Sequence, residues 1–159
     1  MLKKNLKYLT HATSKETKKE MEDAIKLLKS IKNKKIAVFG SHHIEQDHPY
    51  CVDCEELSYN LGKKGYAILS GGGPGIMYAA NHGAYRAGAP SVALREALLK
   101  NEYSPDTPYT HMYSFKFMFV RRFALSIDCE ALIFYPGGFG TLNELFEFIT
   151  IIQTGLVLS

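Results

Sequence analysis

Ala131-Leu132-Ile133-Phe134-Tyr135-Pro136-Gly137-Gly138-Phe139-Gly140-Thr141-Leu142-Asn143-Glu144 is an apolar run that empties into glycines and resumes as an amphipathic stretch. Such an order is that of a buried parallel strand, a tight turn and a helix. The same order occurs upstream, where Tyr66-Ala67-Ile68-Leu69-Ser70 leads into Gly71-Gly72-Gly73-Pro74-Gly75 and then Ile76-Met77-Tyr78-Ala79-Ala80. A shorter version, Lys35-Ile36-Ala37-Val38-Phe39, ends in Gly40-Ser41. Strands alternating with helices predict right-handed crossovers and a mainly parallel sheet covered on both faces, a Rossmann-like three-layer α/β sandwich. Ligands bind such sheets beyond the carboxyl ends of the strands, so the three turns are expected on one rim.

The other elements follow from periodicity and punctuation. Ser14 is placed to cap a helix reaching about Ser30, with Met21, Ala24, Ile25 and Leu28 on one face. A helix is expected from about Tyr50 to Lys64, closed by Gly65, and another from Ile76 to Arg86, stopped at Gly88. Ser91 to Leu94 reads as a third strand, Arg95 to Pro108 as an irregular loop placed to border the site, and Tyr109 to Tyr113 as a short strand. Helices from Phe115 to Ile127 and from Leu142 to Gln153 complete the pattern. The expected division is an N-terminal extension with a packing helix over 1–34 and one domain over 35–159.

Composition narrows the function. A chain of 159 residues suits a single domain, and no apolar stretch has the roughly 18–20 residues that cross a bilayer. Met1 to about Lys19 lacks the apolar centre of a secretory signal, so a cytoplasmic protein is expected. Cys51, Cys54 and Cys129 are too few to staple this length and are expected reduced. The net charge of +3 comes largely from Lys3, Lys4, Lys7, Lys15, Lys18 and Lys19 and from Lys32, Lys34 and Lys35, read as a solvated segment. No basic and aromatic residues interleave as a nucleic-acid binder requires. His42, His43, His48, Cys51 and Cys54 lie close in sequence, but both cysteines fall within one expected helix and no second ligand pair completes a zinc set, so no metal is expected.

Glycines admit close backbone approach to a phosphate, and a following helix aims unpaired N–H groups and its positive dipole end at the anion. Two glycine turns on one rim therefore point to a phosphorylated ligand. Neither carries the Lys-Ser/Thr of a Walker loop or the G-x-G-x-x-G dinucleotide spacing, which disfavours a kinase or a dehydrogenase. Thr141 and Glu144 have two readings: a capping box, or a carboxylate aimed at the ligand's sugar while backbone amides take the phosphate. Arg121 and Arg122 stand among Phe117, Met118, Phe119, Phe123 and Leu125, where a guanidinium needs a partner. That partner is a ligand, a carboxylate or a surface ion pair.

Pro136 to Glu144 resembles the P-G-G-x-G-T-x-x-E signature of the Lonely guy (LOG) family, phosphoribohydrolases of cytokinin riboside 5′-monophosphates once regarded as lysine decarboxylases. Ser70 to Met77 is similar to that family's glycine motif, and Arg121-Arg122 falls where the family has Arg-Lys; the likeness runs from about Lys35 to Leu156. It implies hydrolysis of the N-glycosidic bond of AMP or an N6-modified AMP such as a cytokinin nucleotide, without a metal or organic cofactor. It implies Arg121 and Glu144 as the catalytic pair. Implied substrate and phosphate contacts are Gly40, Ser41, Gly71, Gly72, Gly73, Gly75, Met118, Arg122, Pro136, Gly137, Gly138, Gly140 and Thr141. A homodimer or larger homo-oligomer is implied, with a small-molecule nucleotide as partner and neither nucleic acid nor membrane. The chain departs from the family pattern at His42-His43, Tyr78, Arg122 and Asn143. It stops at Ser159, about where relatives begin another strand and helix, leaving an expected apolar edge at Leu156 and Val157. The alternative is a non-catalytic carrier resembling the molybdenum-cofactor carrier proteins. Lysine decarboxylation fits poorly, because neither glycine motif holds a lysine for pyridoxal phosphate.

Overall fold

The computed structural model describes residues 14–97 and 108–155. Expectations for the N-terminal 13 residues, for 98–107 and for the edge at Leu156 and Val157 lie outside the described residues. Helix α1 (Ser14–Ser30) precedes β1 (Lys35–Phe39), α2 (Pro49–Lys63), β2 (Ala67–Ser70), α3 (Ile76–Arg86) and β3 (Ser91–Glu96). Strand β4 (His111–Phe115), α4 (Met118–Ser126), β5 (Cys129–Phe134) and α5 (Phe139–Gln153) follow.

The sheet has the order β4-β3-β2-β1-β5, with every pair parallel. Successive strands step outward from β1 to β4, and the chain then crosses back to add β5 on the other side of β1. Reversing direction while keeping right-handed crossovers puts α4 on the face opposite α2 and α3. The crevice of this topology therefore opens between the carboxyl ends of β1 and β5.

Alternation along the buried strands divides two apolar cores. Ala37 and Phe39 of β1 and Leu69 of β2 face a cluster with Ala24 and Leu28 of α1, Val120, Ala124 and Leu125 of α4, and Phe148 of α5. Ile36, Val38 and Ile68 face Cys51 and Cys54 of α2 and Ile76, Ala79, Ala80 and Ala84 of α3. Burial pushes the Cys54 thiol up to about 12, as suits a small apolar filler rather than a thiolate ligand. Among the described residues, no group of three or more His, Cys, Asp or Glu side chains is gathered to hold a metal ion, and no helix is long and apolar enough to cross a membrane.

Several elements differ from the sequence reading for identifiable reasons. Strand β3 extends through Arg95 and Glu96, read as loop, because β4 pairs them with Ser114 and Phe115. Helix α5 starts at Phe139 rather than Leu142, with Gly138 as its N-cap and Leu142 N–H donating to Gly138 O at 3.0 Å. Lys35, grouped with the solvated lysines, is 5% exposed; its ammonium donates to Asp128 at 2.8 Å, which offsets its burial. Helix α5 leaves Leu142, Phe146, Ile149 and Ile152 exposed.

Candidate active site

A cavity of about 460 Å³ opens at the expected rim, within the usual range for a small-molecule site. Its lining comes from every crossover. Gly40 and Ser41 follow β1, Gly71 and Gly73 follow β2, and Glu96 ends β3. Met118, Arg121 and Arg122 come from α4, and Gly138, Gly140, Thr141 and Glu144 from the start of α5.

The phosphate-type corner is backbone. The amides of Phe139, Gly140 and Thr141 precede the first intrahelical bond of α5, so helix geometry gives them no partner of their own and directs them at an anion. The preceding turn is tied to β1 by Tyr135 N–H donating to Phe39 O at 2.8 Å and by Ser41 N–H donating to Pro136 O at 3.1 Å. Ile76 N–H donates to Ser41 O at 3.0 Å, which joins all three turns.

The charged corner is Arg121 and Glu144. Both side chains are 12% exposed and face each other at 3.8 Å, and Arg121 Nε donates to Leu94 O at 2.7 Å. Burial pushes the Glu144 carboxyl above its ordinary range; Arg121 and then Arg122 pull it back, and Glu147 adds a further upward push. Thr141 lies inside the first turn of α5, not at its N-cap, so the capping-box reading of Thr141 and Glu144 gives way to a carboxylate facing an arginine. Arg122 meets Glu147 at 2.9 Å, so the two neighbouring arginines bind α4 to α5 through separate acids.

Gly71 is required by this corner rather than by its backbone angles. A Cβ there would collide with the Arg121 guanidinium and the Met77 sulfur, both ends of flexible side chains. Gly71→Ala is therefore expected to leave the melting temperature nearly unchanged while displacing Arg121. Under the hydrolase reading proposed below, turnover should fall roughly tenfold to a hundredfold, as for a misplaced group at the reacting centre; steady-state kinetics beside a thermal melt checks both halves.

Of the expected site residues, Gly40, Ser41, Gly71, Gly73, Met118, Arg121, Arg122, Gly138, Gly140, Thr141 and Glu144 line the cavity. Gly72, Gly75, Pro136 and Gly137 stand behind it and shape the turns. His42, His43, Met77, Phe139 and Asn143 also line it, although the sequence reading gave none of them a site role; Glu96, from the segment expected as a loop bordering the site, lines it from the end of a strand instead. Register with β4 is the signal for Glu96, and adjacency to the glycine motif that for Met77. Tyr78 instead stacks on His82 at 5.4 Å. A buried brace was also missed: Ser70 Oγ receives Gly72 N–H at 3.0 Å and bonds Asn81, whose amide nitrogen donates to Ser91 Oγ at 3.0 Å. Asn81 and both serines are fully buried, so each polar atom needs these partners.

Sheet order, helix placement and a rim cavity of glycine turns with an Arg–Glu pair define a Rossmann-like α/β protein with a cavity of small-molecule size. A family profile described as "Possible lysine decarboxylase" matches residues 77–158. The cytokinin riboside 5′-monophosphate phosphoribohydrolase LOG of Oryza sativa subsp. japonica is 30% identical over 103 residues, 64% of this chain and 42% of the rice protein. The chain thus spans about two fifths of that relative's length. A protein solved by X-ray crystallography as a structural-genomics target is similar at TM-score 0.60 and 26% identity, over 71% of this chain and 66% of that one. The Moco carrier protein of Chlamydomonas reinhardtii is similar at TM-score 0.59 and 21% identity, over 75% of this chain and 72% of that one. The molybdenum cofactor binding protein of Rippkaea orientalis is similar at 0.59 and 22%, over 72% and 69%; these last two likenesses concern the fold alone. The chain belongs to the Lonely guy family.

Proposed function

We infer that this chain binds a purine nucleoside 5′-monophosphate, AMP or an N6-modified AMP, in the rim cavity and hydrolyses its N-glycosidic bond. The observation that carries the reading is the Arg121–Glu144 pair, sequestered beside the free amides at the start of α5. Those amides and Thr141 take the phosphate, which sets the ribose against Glu144. The bond from C1′ to the base nitrogen breaks with its electrons leaving on the base, and positive charge builds on the sugar. A carboxylate fixed there stabilises that charge more in the transition state than in the substrate. Glu144 also takes a proton from the water whose oxygen bonds C1′, and that proton passes on to the departing base nitrogen, giving free base and ribose 5-phosphate with Glu144 ionised again. Arg121, held by Leu94 O, keeps Glu144 in place and offers its outer N–H groups to the ligand.

Incubation with AMP and N6-isopentenyl-AMP, followed by chromatography, is expected to release free base above an Arg121→Ala, Glu144→Ala background. Tight nucleotide binding by calorimetry with no release above that background would replace the hydrolase reading with a carrier.

The pH profile follows from the carboxyl. Because burial raises Glu144 and the reaction uses its ionised form, the acid limb of kcat/KM should lie above the ordinary Glu range. Glu147→Gln removes an upward push and frees Arg122 to pull downward, so the limb should move to lower pH. An unmoved or raised limb would mean that another group sets it.

A further inference from the structure

Helix α1 contributes nothing to the cavity lining, yet its Glu20 is 7% exposed and uses both carboxylate oxygens. Oε1 accepts the Lys116 N–H at 2.7 Å and Oε2 accepts the Phe117 N–H at 3.1 Å. These amides form the joint between β4, which ends at Phe115, and α4, which begins at Met118. Phe117 is the N-cap of α4 and is 3% exposed, and the N3 residue, Val120, has no polar side chain to reach back to its amide, so a carboxylate 97 residues upstream takes it. The bonds are charge-assisted, and the negative group sits at the positive end of the helix. One turn on, Arg121 N–H donates to Phe117 O at 3.1 Å.

We propose that Glu20 is a positioning residue for the site: it fixes where α4 starts and, through Phe117, sets Arg121 against Leu94 O, Gly71 and Glu144. A helix whose origin is anchored by two such bonds, that of Phe117 buried and that of Lys116 partly so, cannot rotate or slide without breaking them, and Arg121 lies on its first full turn. The residue therefore acts at a distance from the ligand, and its catalytic arm rests on the hydrolase reading above.

The test compares the whole chain with Glu20→Ala, which removes both acceptors, Glu20→Gln, which keeps the volume and one acceptor, and Glu22→Gln as an exposed control on the same helix. The direct readout is the NMR signal of the Arg121 Nε–H, held by Leu94 O in the parent, together with amide exchange over 116–122. In Glu20→Ala that signal should shift or broaden, and exchange at 116–122 should rise at least about tenfold while α2 and α3 stay at parent rates. Glu20→Gln should fall between, and Glu22→Gln should match the parent. With AMP, kcat should fall about tenfold in Glu20→Ala, as for a misaligned group, and KM should rise by a small factor as the Arg121 N–H groups move off the ligand. If Glu20→Ala does not fold, Glu20→Gln decides alone by the same readouts. An unchanged Arg121 signal, or faster exchange spread evenly over all helices, would overturn the proposal. A parent chain without turnover would remove the hydrolase reading, and the NMR signal and exchange rates would still decide whether Glu20 positions Arg121.

Discussion

Glu144→Gln is expected to lower kcat for AMP hydrolysis about a thousandfold while KM moves by a small factor. The amide keeps the volume of the acid and removes its charge, so the change isolates electrostatic and proton-transfer roles; losses of roughly 10²–10³ are typical for one such group. Phosphate affinity should survive, because the proposed grip is made by backbone amides at the start of α5. Arg121 retains its bond to Leu94 O in the variant, so a folded protein is expected. Circular dichroism and calorimetric titration with ribose 5-phosphate check those two conditions. A kcat within tenfold of the parent would reduce Glu144 to a structural partner of Arg121.

Gly75→Ala should have the largest effect on stability of any single methyl addition in the rim. Its φ of +64° and ψ of −131° lie where only glycine is comfortable, and the added Cβ would meet the Ser41 carbonyl oxygen and the His42 backbone. Neither neighbour is the end of a flexible side chain, so the β1 and β2 turns must separate. Strain of this kind costs about 1–3 kcal/mol before any clash is counted, and about 3 kcal/mol corresponds to a drop near 10 °C in the melting temperature of a domain this size. Gly71→Ala gives the internal contrast, since there the obstruction is side-chain tips and the loss falls on turnover. A melt of Gly75→Ala within 2 °C or so of the parent would mean that the turn adopts another path.

The sequence made the sheet readable because its strands are short apolar runs stopped by glycine, and because a parallel sheet leaves little freedom in handedness. Element ends were less readable. Gly140 made the start of α5 look like loop, since glycine is a poor helix former, but in the first turn its cost is small and Gly138 is able to cap. Arg95 and Glu96 looked like the beginning of a charged loop, and only pairing with β4 makes them strand. The candidate site divides in the same way. Pro136 to Glu144 announces itself by local spacing, whereas the pairing of Arg121 with Glu144 and of Arg122 with Glu147 depends on how α4 lies across α5. Glu20 carried no signal at all, because a mid-helix glutamate among lysines looks the same whether it meets water or a distant pair of amides.

The rim cavity draws its walls from the ends of β1, β2 and β3 and from the starts of α4 and α5, each contributed by a different stretch of chain. No nascent piece of the polypeptide contains it. Until Glu144 has left the ribosome and β5 has inserted beside β1, the cavity lacks a wall, however many helices have already formed. Loop-closure entropy makes that non-local step slow relative to helix formation. The cavity should then be completed only when β5 docks beside β1, and ligand binding should appear with that step rather than with the formation of the helices.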